Sequence, residues 1–313
     1  QGMAYAMIAG LPEVYGLYAA LFPQIVYAFL GTSRQLAVGP VAMDSLLVAA
    51  GLSVIATVGT EYYILLAISL ALMVGIIQFL MGLFKLGFLV NFLSKPVISG
   101  FTSAAAIIIA MSQLKHLFGL ELTSNNQVHI LLMDVFQKLG DIHMLTFATG
   151  VAGIVVIKLL KRFLPKVPAA LVVVIVGICV VAGLNFEEVG LQIAGEIPSG
   201  LPSFEIPVLR SEHFRELLPV ALTLALIAFM EAVSVTKAIE QRHKDQKINA
   251  NQELIALGAS NIVGSFFQSY PTTGGFSRTA VNDEAGAKTG IAALISAAVV
   301  GLTLLFLTPL FYN

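Results

Sequence analysis

The sequence predicts an all-α polytopic membrane protein. Three observations carry that reading: an apolar composition, runs of crossing length along the chain, and positive charge confined to alternate loops. Of the 313 residues, 58% are hydrophobic and 11% charged, with a mean hydropathy of +0.90. A soluble domain carries about 25% charge. The net charge of -1, with no basic tract to neutralise phosphates, argues against nucleic acid as a partner.

A helix needs about 20 apolar residues to span roughly 30 Å of hydrocarbon. The pattern yields eleven candidate crossings: a stub at 1-11, then 14-30, 36-58, 62-84, 96-118, 143-163, 168-184, 217-239, 252-270, a short 273-285, and 289-311. The 13 residues of 273-285 are too few to span alone, so extended chain before them has to complete the path. The connection 119-142 reads as an amphipathic interfacial helix, and the Pro-rich stretch 197-207 as an extended linker.

Counting Lys and Arg by alternate loops orients the chain. Arg34, Lys85, Lys95, Lys158, Lys161, Arg162, Lys166, Lys237, Arg242, Lys244, Lys247 and Lys288 fall in one set, twelve of the 17 basic residues. Lys115, Lys138, Arg210 and Arg215 fall in the other, beside Glu187, Glu188, Glu196, Glu205 and Glu212. The first set is assigned to the cytoplasm. A missed crossing would scramble this alternation.

Two apolar stretches are interrupted where a helix should begin, one by Gly39-Pro40 and one by Pro271 with Gly274-Gly275. In hydrocarbon a helix start is tolerated only where it is buried in protein or lines a cavity. A pair of such starts points to a site near the midplane, and their positive dipole ends and free N–H groups suit an anion.

Ionisable residues inside these segments are expensive and mark pathways. Arg278 follows Gly274-Gly275-Phe276-Ser277, where its guanidinium, the Ser277 hydroxyl and free backbone donors can converge on an acceptor-rich ligand. The lesser alternative is that it only braces the broken backbone. Glu231 lies in mid-crossing and reads either as an ion-pair partner of Arg278 or as a proton carrier, since burial and a nearby cation act oppositely on a carboxyl's proton affinity. Asp44 lies one turn into the first broken helix and reads as a local cap or pair, or as an accessory to the site.

Little points to catalysis. Cys179 is the lone cysteine, and His116, His129, His143, His213 and His243 lack metal-ligand spacing. Gly286-Ala287-Lys288-Thr289 lacks the glycine that a phosphate-binding loop places before its lysine. No Ser-His-Asp, paired-carboxylate or His/Cys cluster is legible, so neither an enzyme, a cofactor nor a bound metal is expected.

Several motifs carry a resemblance. Gln1-Gly2-Met3-Ala4-Tyr5-Ala6 and Gly10-Leu11-Pro12-Glu13-Val14-Tyr15-Gly16-Leu17-Tyr18 resemble the first signature of the sulfate permease family of anion carriers. Val38-Gly39-Pro40-Val41-Ala42, Asn251-Gln252-Glu253-Leu254 and Gly275-Phe276-Ser277-Arg278-Thr279-Ala280-Val281-Asn282 extend the match along the chain. The resemblance implies a seven-plus-seven inverted-repeat, UraA-like transporter fold with two half-helices meeting near the midplane. Here the fold is cut, the chain being a fragment without the last gate helices and the STAS domain. It implies a core domain from 1-95 and 197-313, gate helices in 96-196, and an anion held between the third and tenth crossings. Carried over by motif, Gln1, Tyr5, Val41, Ala42, Phe276, Ser277 and Arg278 line the pocket. Glu231 takes the place where symporters of the family keep an acid.

A small inorganic anion, sulfate foremost, moved with a proton by alternating access is the activity this implies, in a homodimer in the plasma membrane. Bicarbonate or a dicarboxylate, anion exchange, an anion channel and a voltage-responsive motor are the alternatives. Val235 stands where sodium-coupled relatives show a hydroxyl residue, which argues against sodium.

Overall fold

A computed structural model describes residues 1–92, 135–164, 169–184, 198–208, 211–243 and 246–308, with single positions and short runs between 100 and 133 and at 167. The chain forms two compact units, Gln1–Ser99 with Ser199–Phe306, and Gly100–Pro198 with Leu307–Asn313. The expected crossing 96-118 and the interfacial helix in 119-142 lie largely outside the described residues.

The first unit opens with α1 (Gly2–Ile8), α2 (Glu13–Tyr18) and α3 (Phe22–Leu30). The sequence pattern treats 14-30 as one crossing, but the helix breaks between Tyr18 and Phe22, with Pro23 placed in the first turn of the second piece, where a missing N–H costs nothing. Next come β1 (Val38–Gly39), α4 (Ala42–Leu52) and α5 (Glu61–Leu83). In the second unit lie α6 (Met144–Phe163) and α7 (Ala169–Leu184), which pack on each other. The chain returns to the first unit through α8 (Ser211–Arg242), α9 (Ala250–Ser265), β2 (Thr273–Gly274), α10 (Phe276–Glu284) and α11 (Ile291–Leu302). Residues 36-58, read as one helix, yield only the eleven residues of α4, because Gly39-Pro40 holds the preceding chain extended.

Among the described residues, four stretches are long and apolar enough to cross a membrane: Glu13–Leu30, Glu61–Leu83, Met144–Phe163 and His213–Arg242. α5 shows how such a helix sorts its faces. Leu65, Ile76, Leu80 and Leu83 point outward, while Ala71, Gly75, Gln78 and Gly82 form the buried stripe. Small and polar residues inside with large apolar ones outside is the pattern of a helix whose outer solvent is lipid. The buried stripe lets α9 approach so closely that a Cβ on Gly258 would lie 2.7 Å from the Gly75 carbonyl oxygen and 2.4 Å from Phe79 N.

Two apolar clusters fill the unit. Tyr63, Leu66, Leu70 and Val74 of α5 meet Leu217, Leu224 and Ala225 of α8 in one. The other joins Tyr27, Leu36 and Val38 to Phe229 and Val233 of α8 and to Leu254 and Leu257 of α9. Polar ties set the register between these helices. Gln78 donates to Ala225 O (3.2 Å), and Asn261 donates to Gln78 Oε1 (3.1 Å) and Thr272 O (3.0 Å) while accepting from Thr272 N (2.8 Å). The extended chain that leads into β2 is thereby anchored on α9.

The Asn251-Gln252-Glu253 motif acts as a second anchor. Asn251 Oδ1 accepts from Gly87 N (2.8 Å), Gln252 donates to Leu30 O (2.8 Å), and Glu253 accepts from the Tyr27 hydroxyl (2.7 Å) and from Thr32 N (2.8 Å) and its hydroxyl. Glu253 is wholly buried, and its place in the first turn of α9 sets its charge at the favourable end of the helix dipole.

Candidate functional site

Both interrupted stretches begin helices, and the two starts lie side by side. β1 and β2 pair antiparallel, Val38 opposite Gly274 and Gly39 opposite Thr273. β1 leads through Pro40 and Val41 into α4, and β2 leads through Gly275 into α10. This short ribbon is what the sequence pattern did not show, because two-residue strands leave no periodicity to read. Its backbone groups satisfy each other, and Gly275 N donates to Ala37 O (3.0 Å). Ala37 N in turn donates to the Thr279 hydroxyl (3.1 Å). Extended chain is thus tolerated at this depth because it is buried and paired.

Each helix begins without a capping side chain. Val41, extended at φ -131° and ψ 152°, precedes α4, and Gly275, at φ -90° and ψ 132°, precedes α10; neither accepts a side-chain hydrogen bond. With no side-chain cap, first-turn N–H groups of both helices can donate to a ligand or solvent.

Arg278 belongs to the first turn of α10, and its Nη2 donates to Pro40 O at 2.8 Å. Gly39 adopts φ +154°, and a Cβ there would sit 2.6 Å from Arg278 Nη1. Only glycine admits the guanidinium at this place. Tyr5, Tyr270 and Glu231 are the ionisable groups that act electrostatically on Arg278. The expected ion pair of Arg278 with Glu231 is not among the described ion pairs: Arg278 spends its described hydrogen bond on the Pro40 carbonyl, leaving the carboxylate at longer range.

The remaining expected residues fall into place around this pair of starts. Ser277 donates to Gln1 Oε1, just before α1, at the outer limit of a hydrogen bond, 3.5 Å. Phe276 and Ser277 are exposed, Tyr5 and Ala42 are half-buried and Val41 is buried. Val41 Cγ1 lies 3.3 Å from where a Cβ on Gly275 would stand. Glu231 sits on α8, three residues beyond Ala228, whose carbonyl accepts from the Thr273 hydroxyl (2.6 Å). That bond ties β2 to the helix carrying the acid.

Asp44 neither caps α4 nor pairs locally. It is completely buried, and neither carboxyl oxygen has a partner among the described residues; one Glu231 oxygen, Oε2, is likewise buried and unpartnered. Asp44 and Glu231 act on each other electrostatically. Next to Asp44, the Ser45 and Tyr270 hydroxyls share a hydrogen bond of 3.2 Å. Thr279, Tyr270, Ser45 and Asn261 are parts of the site that residue patterns did not single out, and Pro40, read as a helix break, also supplies an acceptor. Thr279 lies inside the quoted motif around Arg278, and that was its one legible signal.

The chain matches the sulfate permease family over residues 1–313. It belongs to that family. It is 41% identical to the chloroplastic sulfate transporter 4.1 of Arabidopsis thaliana, covering 99% of this chain and 46% of the relative. The solved structure of SLC26A9 superposes with a TM-score of 0.92 at 30% identity, over 99% of this chain and 52% of that one. The transmembrane domain of the cyanobacterial bicarbonate transporter BicA shares the fold, with a TM-score of 0.87 at 24% identity over 99% of this chain and 80% of that domain. The chain spans about half the length of the curated relative. Its helices are those of the inverted-repeat transporter fold expected from the motifs, and the family is one of membrane transporters, not enzymes.

Proposed function

We propose that the complete protein is a secondary carrier that takes up sulfate together with protons by alternating access. The observation that carries this reading is the pairing of β1 with β2, which brings two uncapped helix starts together with one guanidinium between them. Two sets of free N–H donors and a fork of N–H groups match the dispersed charge and many acceptor sites of an oxyanion. Arg278 supplies the charge, and the first turns of α4 and α10 with Ser277 supply neutral donors. Gln1, Tyr5, Val41, Ala42 and Phe276 shape the walls, and Glu231 holds the proton.

Coupling follows from charge. With Glu231 ionised, Arg278 is partly neutralised and the anion meets a weaker field; a proton on Glu231 leaves the guanidinium wholly available. Proton and anion therefore favour each other's binding, and by linkage the effect is reciprocal. The first unit, carrying every one of these residues, acts as the moving core, and the segment 96-196 supplies the gate. A homodimer in the plasma membrane is the assembly consistent with this reading.

The test uses full-length protein in proteoliposomes, with labelled sulfate uptake measured at two external pH values. Wild type gains uptake on acidification, and Glu231→Gln loses that gain while still binding sulfate by calorimetry. Equal stimulation of both by acid defeats the proton role. Uptake that bicarbonate or a dicarboxylate outcompetes at lower concentration than sulfate reassigns the anion.

A further inference from the structure

We propose that Asp44 and Glu231 act together as a two-carboxyl proton store, so that two protons accompany each divalent anion. This rests on the symport reading above and extends it to a residue that reading does not need.

Asp44 presents two oxygens, fully buried, with no donor among the described residues, and Glu231 presents a buried, unpartnered Oε2. Among the described residues no cation forms an ion pair or hydrogen bond with Asp44. Glu231, on the α8 helix that packs against α4, acts on it electrostatically, and so does Tyr270, in the chain before β2 with its hydroxyl on Ser45 and itself within reach of Arg278. Arg278, the cation among the described residues that acts on Glu231, is turned to the Pro40 carbonyl. A buried carboxylate is kept only when paired or hydrogen-bonded. Two buried carboxyls on packed helices, each with unpartnered oxygens, are the arrangement in which protons, not a cation side chain, supply the compensation.

The charge balance of a transport cycle selects two protons over one. Loaded with both acids neutral, Arg278 and a divalent anion leave one net negative charge in the core. Empty with both acids ionised, Arg278 and two carboxylates leave the same charge. The moving unit then carries equal charge in both directions, and one anion with two protons crosses as a neutral load. With Asp44 permanently ionised or replaced by a neutral residue, only Glu231 changes state. The loaded and empty cores then differ by one charge, and transport works against the membrane potential.

The test is the proton-to-sulfate ratio of the full-length protein in proteoliposomes, read as the pH gradient that stops net flux against a fixed sulfate gradient at clamped zero potential. A tenfold sulfate gradient is balanced by about half a pH unit for two protons and by about one unit for one proton. Wild type is expected at half a unit, with uptake indifferent to an imposed potential. Asp44→Asn is expected at one unit and slowed by an inside-negative potential, while Asp44→Glu keeps the wild-type ratio. A wild-type ratio of one overturns the proposal whether or not any variant folds, as does Asp44→Asn at the wild-type ratio. Loss of uptake when sodium is replaced by choline overturns it too, by making the pair a cation site. Wild-type uptake that ignores pH altogether instead defeats the symport reading beneath it.

Discussion

Arg278 donates to the carbonyl oxygen of Pro40 at 2.8 Å, so the side chain that opens α10 is tied to the backbone that launches α4. Residues 238 positions apart are held in one constellation by that bond and by the four residues of the β1–β2 ribbon. Four further expectations follow from the geometry.

Gly39 packs under the guanidinium, where an added Cβ would stand 2.6 Å from Nη1. Gly39→Ala should displace Arg278 from Pro40 without unfolding the helices. Sulfate affinity of the full-length variant, measured by calorimetry, is expected to fall about tenfold or more, the loss of one oriented charge-assisted contact. Unchanged affinity would place the anion elsewhere.

Arg278→Lys keeps the charge but loses the planar fork that can hold Pro40 and an anion at once. Apparent KM for sulfate should rise more than maximal uptake falls. Equal loss in both would indicate that Arg278 braces the backbone and does little else.

Glu253 accepts from Tyr27 and twice from Thr32 in a site closed to solvent. Glu253→Gln turns an acceptor into a group with its own donors facing theirs, and should cost about 1–3 kcal/mol of stability. Thermal unfolding in detergent should show a lower Tm, with little change in the sulfate affinity of the protein that remains folded.

Gly258 meets the α5 backbone, where an added Cβ would lie 2.4 Å from Phe79 N. Gly258→Leu must separate α5 from α9 and break the Asn261–Gln78 bond that registers them. Folded yield should fall severely, whereas Ala152→Leu, on the exposed face of α6, should leave it unchanged.

Much of this was legible in the chain because its causes are local. Apolar run length reports on lipid as the solvent, so α5, α6 and α7 end within a residue or two of the expected crossings. Gly39-Pro40 and Gly274-Gly275 report on broken backbone at two points, and the motifs around them report the family. Where α2 gives way to α3 was less visible, since an apolar run continues through the break.

The composition and spacing of residues by themselves determined a membrane-embedded helical transporter with two interrupted helices and three ionisable residues inside it. Only the tertiary structure decided which groups meet. Arg278 binds a carbonyl of the opposite half where an ion pair with Glu231 was one reading, and Asp44, whose role the sequence left open, lies buried and unpartnered among the described residues, within electrostatic reach of that same acid. The reason is physical: helix propensity and hydropathy act over a few residues, whereas the ribbon, the guanidinium and the two buried carboxyls depend on the packing of segments more than 180 residues apart.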